Sequence, residues 1–266
     1  MCAGASADEL FLADCVNSVL RVFDVRTGQL DARDVYRCPA EEQMLNVAYC
    51  AHTDTLFVAT WGYAPTVSYR VRSLGRTNAE WRECHRLDLS RHKSSYFPDV
   101  TLRALSDGSL AFGEHCSAEL QLVAVDDSRA MQTRARIPLP GAHEGFDAQF
   151  AAGETRLAVA LRTPKRAVAL FRVAGDRAEE LTRCALDCRM RPLFWRDSLL
   201  SFVHTDNGNC VVQELSSGTG GGRLEPRRVL LSGLKDSSNC WCVVNDSLLA
   251  AWDIERETHT LTLYNI

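Results

Sequence analysis

Four residues with side-chain oxygens, Asn46, Asp99, Asp147 and Asn239, stand 10, 11, 10 and 9 positions before leucines at 56, 110, 157 and 248. Carboxylate and amide oxygens recurring at one level are the donors that a hard cation such as Ca²⁺ takes. A second set is cationic: Arg162, Lys165 and Arg166 in one stretch, and Arg189 and Arg191 in the next. Guanidinium groups on adjacent loops suit a phosphate or an acidic peptide through bidentate contacts. Arg189 falls near the level of the oxygen set, and a cation there opposes a metal. A third set is aromatic. Trp61, Tyr63 and Pro65 share one polar stretch, and Tyr96 and Phe97 end another. Exposed aromatic side chains of this kind anchor partners. Each set also has a plainer reading: backbone-bonding residues at strand starts, solvated loops, and packing beneath loops.

The elements that must position these groups come from a repeat. Asp8-Glu9-Leu10-Phe11-Leu12-Ala13 has counterparts at Asp54-Thr55-Leu56-Phe57-Val58-Ala59, Asp107-Gly108-Ser109-Leu110-Ala111-Phe112 and Glu154-Thr155-Arg156-Leu157-Ala158-Val159. Two more start at Asp197 and Asp246. The aligned leucines, 10, 56, 110, 157, 199 and 248, are spaced 46, 54, 47, 42 and 49 residues apart. Each run is too short for a helix and suits a buried strand. The acidic residue ahead of it is turn chemistry, because an Asp side chain bonds backbone two residues on. A second strand follows in every unit, as in Val19–Val25 or Val168–Val173. In most units an arginine-bearing third strand comes next, and a fourth precedes the turn, as in Leu45–Cys50. Four strands in about 47 residues, six times over, with no convincing helix, predict an all-β, six-bladed β-propeller of four-stranded antiparallel blades.

The units run 1–40, 41–91, 92–139, 140–187, 188–234 and 235–266, in one domain spanning 1–266. Arginines on the outermost strands then act as edge charges that oppose aggregation. The oxygen set falls at the starts of the innermost strands, facing the channel. The first unit begins at its second strand and the last stops at its third. Met1–Ala7 are too few and too small for the missing two strands. The closing seam is therefore expected to be thin, or the chain to be a shortened form.

The pattern resembles the WD-repeat superfamily, most closely at Val22-Phe23-Asp24-Val25-Arg26-Thr27-Gly28-Gln29, with Phe where Trp is usual. The Gly-His pair of that family is missing from every unit, and Trp252-Asp253 is a WD dipeptide at the end of the wrong strand. The oxygen set resembles in outline the metal site of six-bladed lactonase-type hydrolases, a likeness that implies ester activation by one metal. Other constellations carry less. Ser90-x-x-Lys93 has the spacing of serine acyl enzymes without their companion motifs. Cys184-x-x-x-Cys188 and Cys240-x-Cys242 lack the matching second pair of a zinc site. His143-Glu144 has no nucleophile beside it.

Composition sets the remaining bounds. The 266 residues are 46% hydrophobic and 24% charged, with net charge -4. That excludes a disordered chain and argues against nucleic acid as partner. No apolar run is long enough for a membrane helix. Eleven cysteines and no visible signal peptide predict free thiols in the cytoplasm or nucleus. Lys occurs only at 93, 165 and 235, an arginine bias attributed mainly to genome composition. The sequence reading is thus a non-catalytic scaffold without cofactor. It binds a protein or peptide, acidic or phosphorylated, through Tyr63, Tyr96, Arg162, Arg166, Arg189 and Arg191. The alternative is a Ca²⁺-dependent hydrolase of small esters or lactones using Asn46, Asp99, Asp147 and Asn239.

Overall fold

The computed structural model describes residues 1–4, 8–26, 33–62, 68–78, 80–90, 100–105, 107–114, 119–138, 147–150, 156–161, 167–174, 177–185, 192–196, 198–204, 209–217, 223–234, 238–255 and 258–266. They form 23 strands and no helix. Sheet one holds β1 (Cys2–Ala3), β2 (Glu9–Asp14), β3 (Val19–Asp24) and β4 (Arg33–Arg37). Sheet two holds β5 (Glu42–Cys50), β6 (Thr55–Gly62), β7 (Ser68–Thr77) and β8 (Glu80–Ser90). Sheet three holds β9 (Val100–Ala104), β10 (Leu110–Glu114), β11 (Glu119–Val125) and β12 (Met131–Pro138). Sheet four holds β13 (Asp147–Phe150), β14 (Arg156–Leu161), β15 (Ala167–Ala174) and β16 (Arg177–Ala185). Sheet five holds β17 (Leu193–Trp195), β18 (Ser198–His204), β19 (Cys210–Ser217) and β20 (Leu224–Leu234). Sheet six holds β21 (Ser238–Asn245), β22 (Leu248–Glu255) and β23 (Thr258–Asn265). The fold class is an all-β, six-bladed β-propeller. Its chain divides into two compact units, one carrying sheets one to three and the other sheets four to six.

Side-chain alternation explains how each sheet buries two faces. Along β6, Leu56 and Val58 join a cluster with Phe11, Leu20 and Val22 of sheet one. Their neighbours Phe57 and Ala59 point the other way, to Leu102, Leu110 and Phe112 of sheet three. Successive strand residues face opposite sides, so an uninterrupted apolar run is what a doubly covered strand requires. The same division recurs in the second unit. Leu199 and Leu215 meet Ala158, Val168 and Leu170 of sheet four. Leu200, Phe202 and Val212 meet Trp241, Leu249 and Ala251 of sheet six. Each fully buried Leu or Phe in these layers contributes about 1.5–3 kcal/mol. By contrast β12 alternates buried Met131 and Ile137 with exposed residues, as expected of a strand with one dry face.

The turns follow the acidic signature in part. Asp107 Oδ1 accepts bonds from the N–H and hydroxyl of Ser109, and Gly108 takes φ +81° between them. In sheet six it is Asn245, one residue before the aligned Asp246, whose side chain accepts the Ser247 N–H. The expected absence of strands before β2 is corrected. Cys2 and Ala3 pair with Phe11 and Leu10 as a two-residue strand. Gly4 makes this possible by donating to the Glu9 carbonyl at 2.7 Å, where any Cβ would lie 2.6 Å from Glu9 Cβ. Sheet six has three strands among the described residues.

Candidate functional site

Most sequence-predicted site residues, Tyr63, Tyr96, Arg162, Arg166, Arg189, Arg191 and Asp99, lie outside the described residues. The oxygen set is described at three positions. Asn46 sits in the middle of β5 rather than at its start, because β5 begins early, at Glu42. Its Nδ2 donates to the Val100 carbonyl of β9 at 2.7 Å, and its Oδ1 accepts the Val47 N–H at 2.8 Å. Asn46 thereby clasps the first strands of sheets two and three, a structural role sufficient by itself. Asp147 is the first residue of β13, and Asn239 the second of β21. Among the described residues no three His, Cys, Asp or Glu side chains gather as a metal site.

In the second unit the first strands β13, β17 and β21 stand in a row, with β17 in the middle. β13 pairs antiparallel with β14, so that Asp147 opposes Ala160. Asp147, Asn239, the end of β14 and the start of β17 therefore share one strand end. By sequence, Arg162, Lys165 and Arg166 follow β14, and Arg189 and Arg191 precede β17.

Two buried carboxylates organise the remaining charges. Glu42, which opens β5, is 5% exposed. It accepts the Thr60 hydroxyl at 2.7 Å, Arg70 Nη1 at 2.8 Å, and Arg72 Nε and Nη2 at 3.2 and 2.5 Å. Arg72 Nη1 also reaches both oxygens of Glu83 at 2.6 Å, and Glu83 accepts the Tyr36 hydroxyl at 2.9 Å. Arg70 Nε donates to Asp88 at 3.0 Å. Burial pushes the Glu42 carboxyl upward, but the bonds from Arg72 and Thr60 outweigh it and hold it below the usual range. Burial, with help from Glu42, raises the neighbouring Cys38 thiol to about 12, so Cys38 is inert. Every charge here is answered from within the sheet.

The second carboxylate, Glu214 on β19, is 2% exposed and lies in the wall of a cavity of about 350 Å³. Trp195, Arg196, Ser198, Arg227 and Arg228 line the rest. Glu214 accepts Ser198 Oγ at 2.8 Å, Arg228 Nε at 2.7 Å and Arg227 Nη1 at 3.4 Å. Burial again pushes upward, and Arg228 with Ser198 outweighs it to lower the carboxyl. Arg196 lies over the Trp195 ring at 4.7 Å and Arg228 at 5.8 Å. Trp195 Nε1 and Arg196 Nη2 both donate to the Asp246 carbonyl at 3.0 Å. The sequence reading missed this cavity. It took Arg228 for an edge charge, and the pairing Glu214–Arg228 across β19 and β20 is a register that spacing alone does not show.

No family model matches the chain, and no curated protein matches it. Solved structures do. A proposed glucose dehydrogenase of Thermus thermophilus is 11% identical, with TM-score 0.62, over 100% of this chain and 96% of that one. A proposed 6-phosphogluconolactonase of Bacteroides uniformis is 12% identical, with TM-score 0.57, over 84% and 68%. A chain of the mitotic checkpoint complex is 12% identical, with TM-score 0.58, over 99% and 88%. At these identities the likeness shows the fold. The expected non-catalytic scaffold is nonetheless corrected, since matching structures carry enzyme names and the hydrolase alternative accords with them better. Blade periodicity could not make this distinction, because platforms and enzymes are built on the same strands.

Proposed function

We propose that the protein hydrolyses a lactone or small ester, most suitably a sugar lactone bearing an anionic group. One observation carries the reading: Asp147 is the first residue of β13 and Asn239 the second of β21, the first strands of their sheets in the second unit. By sequence, the arginine stretch 162–166 follows β14 and the stretch 189–191 precedes β17. In this reading the Asp147 carboxylate takes a proton from water as the water oxygen bonds to the carbonyl carbon, the acyl C–O bond then breaks and that proton passes to the departing alkoxide, while the Asn239 amide orients the ester. Arg162, Arg166, Arg189 and Arg191 hold the substrate's anionic group. The resemblance to a structure named as a proposed 6-phosphogluconolactonase supports that substrate class. Kinship with WD-repeat chains is supported by Phe23-Asp24 at the end of β3, and a cytoplasmic or nuclear setting by the eight described free thiols. Among the described residues no helix is long and apolar enough to cross a membrane.

The test follows acid release at constant pH with gluconolactone and its 6-phosphate. Hydrolysis above the spontaneous rate is expected, falling about a hundredfold or more in Asp147→Asn. A wild-type rate equal to the spontaneous one for both lactones refutes the reading.

A further inference from the structure

We infer that the cavity in sheet five is a binding site for a phosphate monoester group on a small molecule. The site lies where β17 ends and β18 begins, the opposite end of its sheet from the strand starts invoked above. The inference does not rest on the hydrolase reading.

The cavity combines surplus positive charge with unused donors. Three guanidiniums, Arg196, Arg227 and Arg228, face one buried carboxylate, Glu214. Asp246 adds only a distant partner, 4.0 Å from Arg196 Nε and 82% exposed. Each arginine directs one hydrogen bond into the protein, leaving most of the five N–H donors that a guanidinium carries. The three side chains are 54–65% exposed, so these donors meet the cavity's solvent. Their positions are set from below. Glu214 fixes Arg228 at 2.7 Å, and the Asp246 carbonyl and the indole fix Arg196. Preorganised forks of this kind match the oxygens of a phosphate. A dianion fits the local excess of positive charge better than a single carboxylate does. Trp195 is 3% exposed and already covered by arginine, so the ligand's organic part is not stacked on it. A volume of about 350 Å³ is at the small end of ligand pockets.

The experiment titrates the full chain with inorganic phosphate and with glucose 6-phosphate, against chloride at equal ionic strength, by calorimetry and thermal melting. Saturable binding and a raised melting temperature are expected. Arg227→Gln removes a side chain with a single long internal contact and should weaken binding about tenfold or more. Glu214→Gln removes the negative charge below the arginines and should tighten it. Stronger binding of glucose 6-phosphate assigns an organic ester, as proposed. Stronger binding of inorganic phosphate moves the assignment to the free ion and overturns the ester. Absence of saturation, or equal affinity in wild type and Arg227→Gln, overturns the site. Lactone hydrolysis is measured in parallel. Loss of phosphate binding with activity intact, or the reverse, separates the two readings.

Discussion

Sheets two and five are assembled from the same parts. Each has a buried carboxylate, Glu42 or Glu214, one hydroxyl donor, Thr60 or Ser198, and a pair of arginines one or two residues apart. They differ in what surrounds the arginines. The Arg72 side chain is 4% exposed and bridges two glutamates, and Arg70 is 13% exposed and meets Glu42 and Asp88. Among the described residues Arg227 and Arg228 have Glu214 as their one acidic partner, and they stand mostly in solvent. Saturation turns one cluster into a strut, and surplus leaves the other open to a guest. The comparison teaches that an arginine–carboxylate pair is neither structural nor functional by composition. The balance of partners decides.

Removing one partner should separate the two most sharply. Arg72→Met leaves Glu42 and Glu83 without their shared cation and should cost about 3–5 kcal/mol in urea unfolding. A loss below about 1 kcal/mol would show that the cluster of sheet two is no strut. Arg228→Gln, which weakens the hold on Glu214 beside open solvent, should cost about 1–2 kcal/mol. Acid sharpens the contrast. Glu42 and Glu214 both titrate below the ordinary 4.5, so their contribution is complete above pH 4.5 and declines as pH falls through their folded values. Between pH 5 and 3 the Arg72→Met protein should lose less stability than wild type, because Glu42 then gains from protonation. Matching slopes would break that assignment. The smallest effect belongs to Arg227→Gln, whose exposed ion pair should change stability by no more than about 0.5 kcal/mol.

What the sequence revealed follows from the physics of each feature. Strand faces were legible because burial acts residue by residue, so that Leu56-Phe57-Val58-Ala59 announces a doubly covered strand. The Asp107 turn was legible because its bonds span two residues. The two-residue β1 was not, since it depends on Gly4 approaching Glu9 rather than on any apolar run. Nor were the ion clusters. Glu42 meets arginines 28 and 30 positions away, a separation that no local spacing reveals. Asp147 and Asn239 stood out in the sequence by type and spacing as candidate metal ligands, and they fall at the first position of β13 and the second of β21.

The carbonyl of Asp246 accepts from both Trp195 and Arg196. That single oxygen couples the rim of the sheet-five cavity to the hairpin joining β21 and β22. Whatever draws the Arg196 guanidinium toward a guest must also slacken this tether, so occupancy in one blade would be felt as looseness in the next. Amide exchange at Ser247 and Leu248 would then serve as a remote gauge of filling.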